Sequence, residues 1–161
     1  MKHGKLLVPV LALSSMLFPA SSAQALCVLC SCSASTAGLA FGAYDPTSNT
    51  PRDANAVVQI NCSGVAALLG TIDVSLSPGG SGSIANRRMA QGANVLSYNI
   101  YSDSNHTTIW GDGTGGTTGV TLPFNGLLAY SASVTAYGRI STHQYVRAGA
   151  YADAVTVTIT Y

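Results

Sequence analysis

Residues 154–161 read AVTVTITY, with Val155, Val157, Ile159 and Tyr161 set among threonines. A period of two places these four apolar residues on one face of an extended strand and Thr156, Thr158 and Thr160 on the other. The stretch predicts a half-buried β-strand with no turn or polar tail after Tyr161. Strand-like runs recur upstream at 36–44, 55–62, 71–77, 95–101, a short one near 108–110, and 127–140. Between them lie turn signals: Asp45-Pro46, Pro78-Gly79-Gly80-Ser81-Gly82 and Gly111-Asp112-Gly113-Thr114-Gly115-Gly116. No convincing helical pattern interrupts the series, which predicts an all-β fold, a sandwich or a barrel.

The first residues carry Lys2, His3 and Lys5, then an apolar stretch from Leu6 to Phe18, then Ala23-Gln24-Ala25. This order is that of a secretory signal peptide, expected to span residues 1–25. Its apolar run is shorter than the roughly 20 residues a membrane span needs, so no membrane span is expected and the protein is read as exported. Residues 26–161 then form one expected domain of 136 residues within the 161-residue chain, long enough to enclose a single core. Without Lys2 and Lys5, five arginines face six aspartates and no glutamate, a net charge of about −1 with His neutral. Arg87-Arg88 is only a pair, read as part of a solvated hairpin or loop, and no nucleic acid is expected as a partner.

Cys27, Cys30, Cys32 and Cys62 all follow the leader, and export places them in an oxidising compartment where thiols pair. Cys62 ends the alternating stretch AVVQINC and has three candidate partners. Cys32 is favoured because it lies beside the next strand-like stretch, STAGLAFGAY. Cys27 and Cys30 remain for a second pair or a pairing between chains. Metal binding is not expected, because His106 and His143 offer no paired spacing to complete a zinc site. No βαβ context supports a redox role for Cys27-x-x-Cys30.

No catalytic constellation stands out. His143, Asp153 and a serine can be written down as a triad, but no G-x-S-x-G elbow accompanies them. The aspartates mostly sit in turn-like sequence, as at Asp45-Pro46, Arg52-Asp53, Asp103-Ser104 and Gly111-Asp112-Gly113, where the side chain bonds nearby backbone. The glycine run after Trp110 lacks the Lys-Ser/Thr end of a phosphate loop. The expectation is a protein that is not an enzyme and needs no cofactor.

Several stretches together resemble the spore coat protein U domain family, which includes the subunits of archaic chaperone–usher pili. They are Cys32 with LAFGAYDP (39–46), Cys62, NRRM (86–89), LSYNIY (96–101), WGDGTGG (110–116), YGRI (137–140), AGAYAD (148–153) and the final VTVTITY. The resemblance implies an immunoglobulin-like β-sandwich lacking its final strand, with a disulfide mapping to Cys32 and Cys62. It implies a periplasmic chaperone that lends a strand, an outer-membrane usher and other pilus subunits as partners. The implied role is a structural subunit of a surface pilus or coat, in adhesion or biofilm, at the cell surface after transit through the periplasm. A strand lent by another molecule would lie beside Val155, Val157, Ile159 and Tyr161. Ahead of Cys32 the family's shaft subunits carry an alternating apolar arm, whereas here Cys27 and Cys30 interrupt residues 26–31. That departure leaves open a terminal or accessory subunit, or a coat protein that completes its own fold. The alternative from another class is a carbohydrate-binding module using Tyr98, Tyr101 and Trp110.

Overall fold

The computed structural model describes residues 31–64, 70–124 and 129–161; the expected signal peptide, Cys27 and Cys30 lie outside them. Among the described residues, eight strands form two antiparallel sheets. The first has the order β1-β2-β7-β5-β4, with β1 Ser31–Thr36, β2 Arg52–Ser63, β4 Arg87–Gln91, β5 Asn94–Tyr101 and β7 Ala129–Ile140. The second has the order β6-β3-β8, with β3 Gly70–Leu76, β6 Val120–Phe124 and β8 Val157–Thr160. The fold is all-β, an immunoglobulin-like sandwich of these two sheets.

Alternation decides which face is buried. In β2, Val58, Ile60 and Cys62 point inward while Val57, Gln59 and Asn61 point out. Ile72, Val74 and Leu76 of β3 meet them from the other sheet, and Val157 and Ile159 of β8 pack beside β3. Each buried aliphatic side chain of this kind stabilises the fold by roughly 1.5–3 kcal/mol relative to exposure. Cys32 and Cys62 stand directly opposite each other in the β1–β2 ladder and form the disulfide. It fastens a strand whose other residues are exposed.

The structure corrects several boundaries. The first strand is Ser31–Thr36, and residues 37–44 belong to no ladder. Gly38 and Gly42 take positive φ of 77° and 69° there, which breaks the extended repeat. The run near 108–110 contributes only isolated bridges, Tyr101 with Ile109 and Trp110 with Thr118. Strands β4 and β6 were not expected. Arg87 and Arg88 do open a hairpin, but Arg87 is 0% exposed, contrary to a solvated reading. Nor does Asp53 sit in a turn: it lies in β2 opposite Arg139 of β7, which donates to it from Nε and Nη2 at 2.7 Å each. That guanidinium holds the Asp53 carboxyl below its usual pKa. Asp45, Asp103 and Asp112 do cap turns, accepting from Thr47, from Thr107 and Thr108, and from Thr114.

Candidate functional site: an apolar groove beside an unpaired segment

Between residues 38–46 and residues 146–157 the sandwich carries a groove made of two adjoining clefts of about 400 and 620 Å³. Leu39, Phe41, Met89 and Tyr151 line both. The floor is core: Val58, Leu76, Ile100 and Ala136 under the first cleft, Leu96 and Ile140 under the second. Among the described residues, no backbone–backbone hydrogen bond outside the strands involves residues 39–43. On the opposite wall, β8 pairs with β3 alone among the described strands. Main chain in no ladder therefore borders the apolar trough along residues 39–43, a place where an added strand could pair. On the other wall, Ala152 and the Thr156 carbonyl are already bonded to Ala90 and Ser77.

Side chains fix both walls. Tyr44 ties the first wall to the chain after β7, donating to the Ser141 carbonyl at 2.8 Å and accepting from the Gln144 N–H at 2.9 Å. Arg52 Nε donates to the Phe41 carbonyl. On the second wall, Asp153 accepts from the Tyr98 hydroxyl at 2.8 Å and from the Gly80 N–H at 2.8 Å. Gly79 takes φ 65° and packs so closely on the Asp153 carboxylate that any side chain would collide with it. Burial first, and the bond to Asp153 second, push the Tyr98 hydroxyl well above its usual pKa.

Behind that wall lies a polar hub. Arg87 donates from Nε to the Ser77 carbonyl (3.0 Å), from Nη1 to Asn99 Oδ1 (2.9 Å), and from Nη2 to the carbonyls of Trp110 (2.9 Å) and Leu76 (3.4 Å). Burial lowers its pKa, but a guanidinium stays protonated. Trp110 is 0% exposed, its Nε1 donating to the Val74 carbonyl. Trp110 and Tyr98, at 0% and 8% exposure, are core residues. They cannot form the aromatic platform that the carbohydrate reading required. Tyr101 instead packs edge-on against His106.

Of the four residues expected to border a lent strand, Val155 and Val157 line the groove. Ile159 packs on the core, paired with Val74, and Tyr161 is 39% exposed. His143 and Asp153 do not act together: His143 Nε2 lies 3.2 Å from Asn49 Oδ1, while Asp153 is held by Tyr98 and Gly80. Among the described residues, no group of three or more His, Cys, Asp or Glu could hold a metal ion.

The family model of the Spore Coat Protein U domain matches residues 18–158. The chain belongs to this family. It is similar to Protein U of Myxococcus xanthus, 31% identical over 132 residues that cover 76% of this chain and 71% of that protein. Its fold is similar to a chain of the CsuC–CsuE chaperone–tip adhesion subunit pre-assembly complex from archaic chaperone–usher Csu pili of Acinetobacter baumannii. That match has a TM-score of 0.53 and 22% identity, covering 83% of this chain and 40% of the solved one. At that identity the likeness is one of fold.

Proposed function

We propose that the protein is an exported structural subunit of a surface pilus or coat, whose groove receives a β-strand from another molecule. The carrying observation is the apolar groove whose first wall, residues 39–43, belongs to no ladder. Membership of the spore coat protein U family and the fold shared with a Csu pilus complex support the same reading. The partners are a periplasmic chaperone that fills the groove first, an outer-membrane usher, and neighbouring subunits. The role is adhesion or biofilm formation at the cell surface, reached through the periplasm. On this reading residues 1–25 are the signal peptide and residues 26–161 the domain. Val155 and Val157 form the wall beside the incoming strand, and Ile159 and Tyr161 continue its edge. The role is structural and involves no cofactor.

The test fuses an alternating apolar strand after Tyr161 and compares thermal melting and size exclusion with the unfused protein. Burying three or four apolar side chains and pairing open main chain should raise the melting temperature by roughly 10 °C or more. It should also convert self-associated material to monomer, as co-expression with the chaperone should. A soluble, cooperative monomer that gains nothing from the fusion would instead identify a coat protein that completes its own fold. The similarity to Protein U keeps that second reading in view.

A further inference from the structure

After β7 the chain runs through residues 141–147 outside any ladder, yet exposure alternates: Ser141, His143, Tyr145 and Arg147 are exposed, while Thr142, Gln144 and Val146 are half-buried. That is the pattern of an extended segment with one face on the protein. Side chains fasten the inner face. Gln144 exchanges two hydrogen bonds with the main chain of Ser97, its Oε1 accepting from the N–H and its Nε2 donating to the carbonyl, both at 2.8 Å. Its own N–H donates to the Tyr44 hydroxyl, Val146 packs on the core, and the Tyr151 hydroxyl donates to the Arg147 carbonyl at 2.7 Å. His143 takes a φ of 59°, a left-handed conformation that costs a non-glycine residue energy. Its Nε2 lies 3.2 Å from Oδ1 of exposed Asn49.

With its segment so held, Tyr145 is still 74% exposed, the most exposed of the large apolar side chains described. Neither its hydroxyl nor the Arg147 guanidinium has a hydrogen-bond or ion-pair partner among the described residues. A ring held out in water on a fixed segment loses little entropy when a ligand covers it. We infer that the row His143–Tyr145–Arg147 is a contact site for a carboxylated polysaccharide: Tyr145 stacks on a sugar ring, Arg147 pairs with a carboxylate, and His143 with Asn49 takes sugar hydroxyls. Tyr145 thus offers the aromatic face that buried Tyr98 and Trp110 withhold. The residue types decide against other ligands. One guanidinium is too few for a nucleic acid or an anionic membrane, which call for clustered cations, and one apolar side chain is too little core for a protein interface. A stacking face, one bidentate cation and neutral hydrogen-bonding groups match a polymer of rings that carries hydroxyls and carboxylates. The site does not depend on strand exchange. It rests on the surface-structure reading only in that weak single contacts become strong where many copies are displayed.

Biolayer interferometry with the purified protein over immobilised polygalacturonate, polysialate, polyglutamate and dextran tests this. At least one of the two carboxylated polysaccharides should bind about tenfold or more tighter than neutral dextran, and than polyglutamate, which carries carboxylates without sugar rings. Which of the two binds distinguishes a uronate from a sialate. Tyr145→Ala should weaken that binding by about tenfold, and Tyr145→Trp should keep it. Arg147→Gln should bring the carboxylated polysaccharide down to the level of dextran. Both positions are exposed, so the melting temperature of each variant should hold within about 2 °C. Equal binding to polyglutamate would reduce the row to a bare charge contact and overturn the site. So would an absence of polysaccharide binding, or variants that bind as the unaltered protein does. None of these results touches the gain from the fused strand, so the two readings fail separately.

Discussion

Where β3 meets β4, the sandwich is sealed by a guanidinium whose donors reach three carbonyls and an amide oxygen from Leu76, Ser77, Asn99 and Trp110. Where residues 38–46 face residues 146–157, the facing side chains are largely apolar, and the main chain of residues 39–43 is in no ladder. The two flanks are a short distance apart, since Asp153 of the groove wall is bonded to Tyr98, the residue opposite Arg87 in the β4–β5 hairpin. The contrast is one of specificity. A buried charge with several fixed acceptors has a single good arrangement, so the closed flank holds the layers in one relation. An apolar trough with one wall in no ladder suits any strand with the right period, and only its shape selects among them.

The largest effect should come from unsealing the closed flank. Arg87→Met keeps most of the volume but leaves buried acceptors without donors, at a cost of about 3 kcal/mol or more. Arg88→Met, one residue along on the exposed face, should stay within about 0.5 kcal/mol. Urea unfolding measures both, and equal values would erase the distinction between the flanks. A smaller effect probes the second wall where it runs on into β8. Ile159→Asp brings an unpaired carboxylate against the core and should cost about 2–4 kcal/mol, whereas exposed Thr158→Asp should cost under about 1 kcal/mol. Comparable costs would mean that β8 presents the opposite face.

The smallest effect sharpens the link between the flanks. The Tyr98 pKa is raised in the folded state, so folding favours its protonated form. Its contribution is fully present below the unfolded value of about 10 and is lost as pH rises beyond it. Melting temperature should therefore fall above about pH 10, and less steeply in Tyr98→Phe, which at neutral pH should cost about 1 kcal/mol for the lost hydrogen bond. An unchanged alkaline slope in Tyr98→Phe would place the titration elsewhere.

What alternation can report, it reported well: β2, β3 and β7 fall close to their expected spans because each buries one face, and β5 does so although Asn99 is buried between Tyr98 and Ile100. It fails where burial is not apolar. Arg87 looks solvated in any local window, since its acceptors come from residues 10 to 23 positions away. In 37–44 the failure is the reverse. Leu39 and Phe41 do face the core, so the pattern is a strand's, but Gly38 and Gly42 break the extended repeat and no neighbour pairs with it. One wall of the groove was legible in Val155 and Val157. Its floor was not, because the meeting of Ala56 with Ala136 depends on the β2–β7 register, which no single stretch encodes. The Cys32–Cys62 bond was accessible because Cys62 ends one strand-like stretch and Cys32 lies beside another, and the structure sets the two cysteines directly opposite each other.

The second groove wall also changes layers along its length. Ala152 exchanges main-chain hydrogen bonds with Ala90 of β4, the Ser77 N–H donates to the Thr156 carbonyl, and Val157–Thr160 then pairs with β3. A pull along this segment loads rungs in both sheets at once, in shear, rather than opening one ladder bond by bond. The two layers are thereby strapped together at the one flank where side chains alone would let them part, so tension transmitted through the groove would be carried by the whole domain.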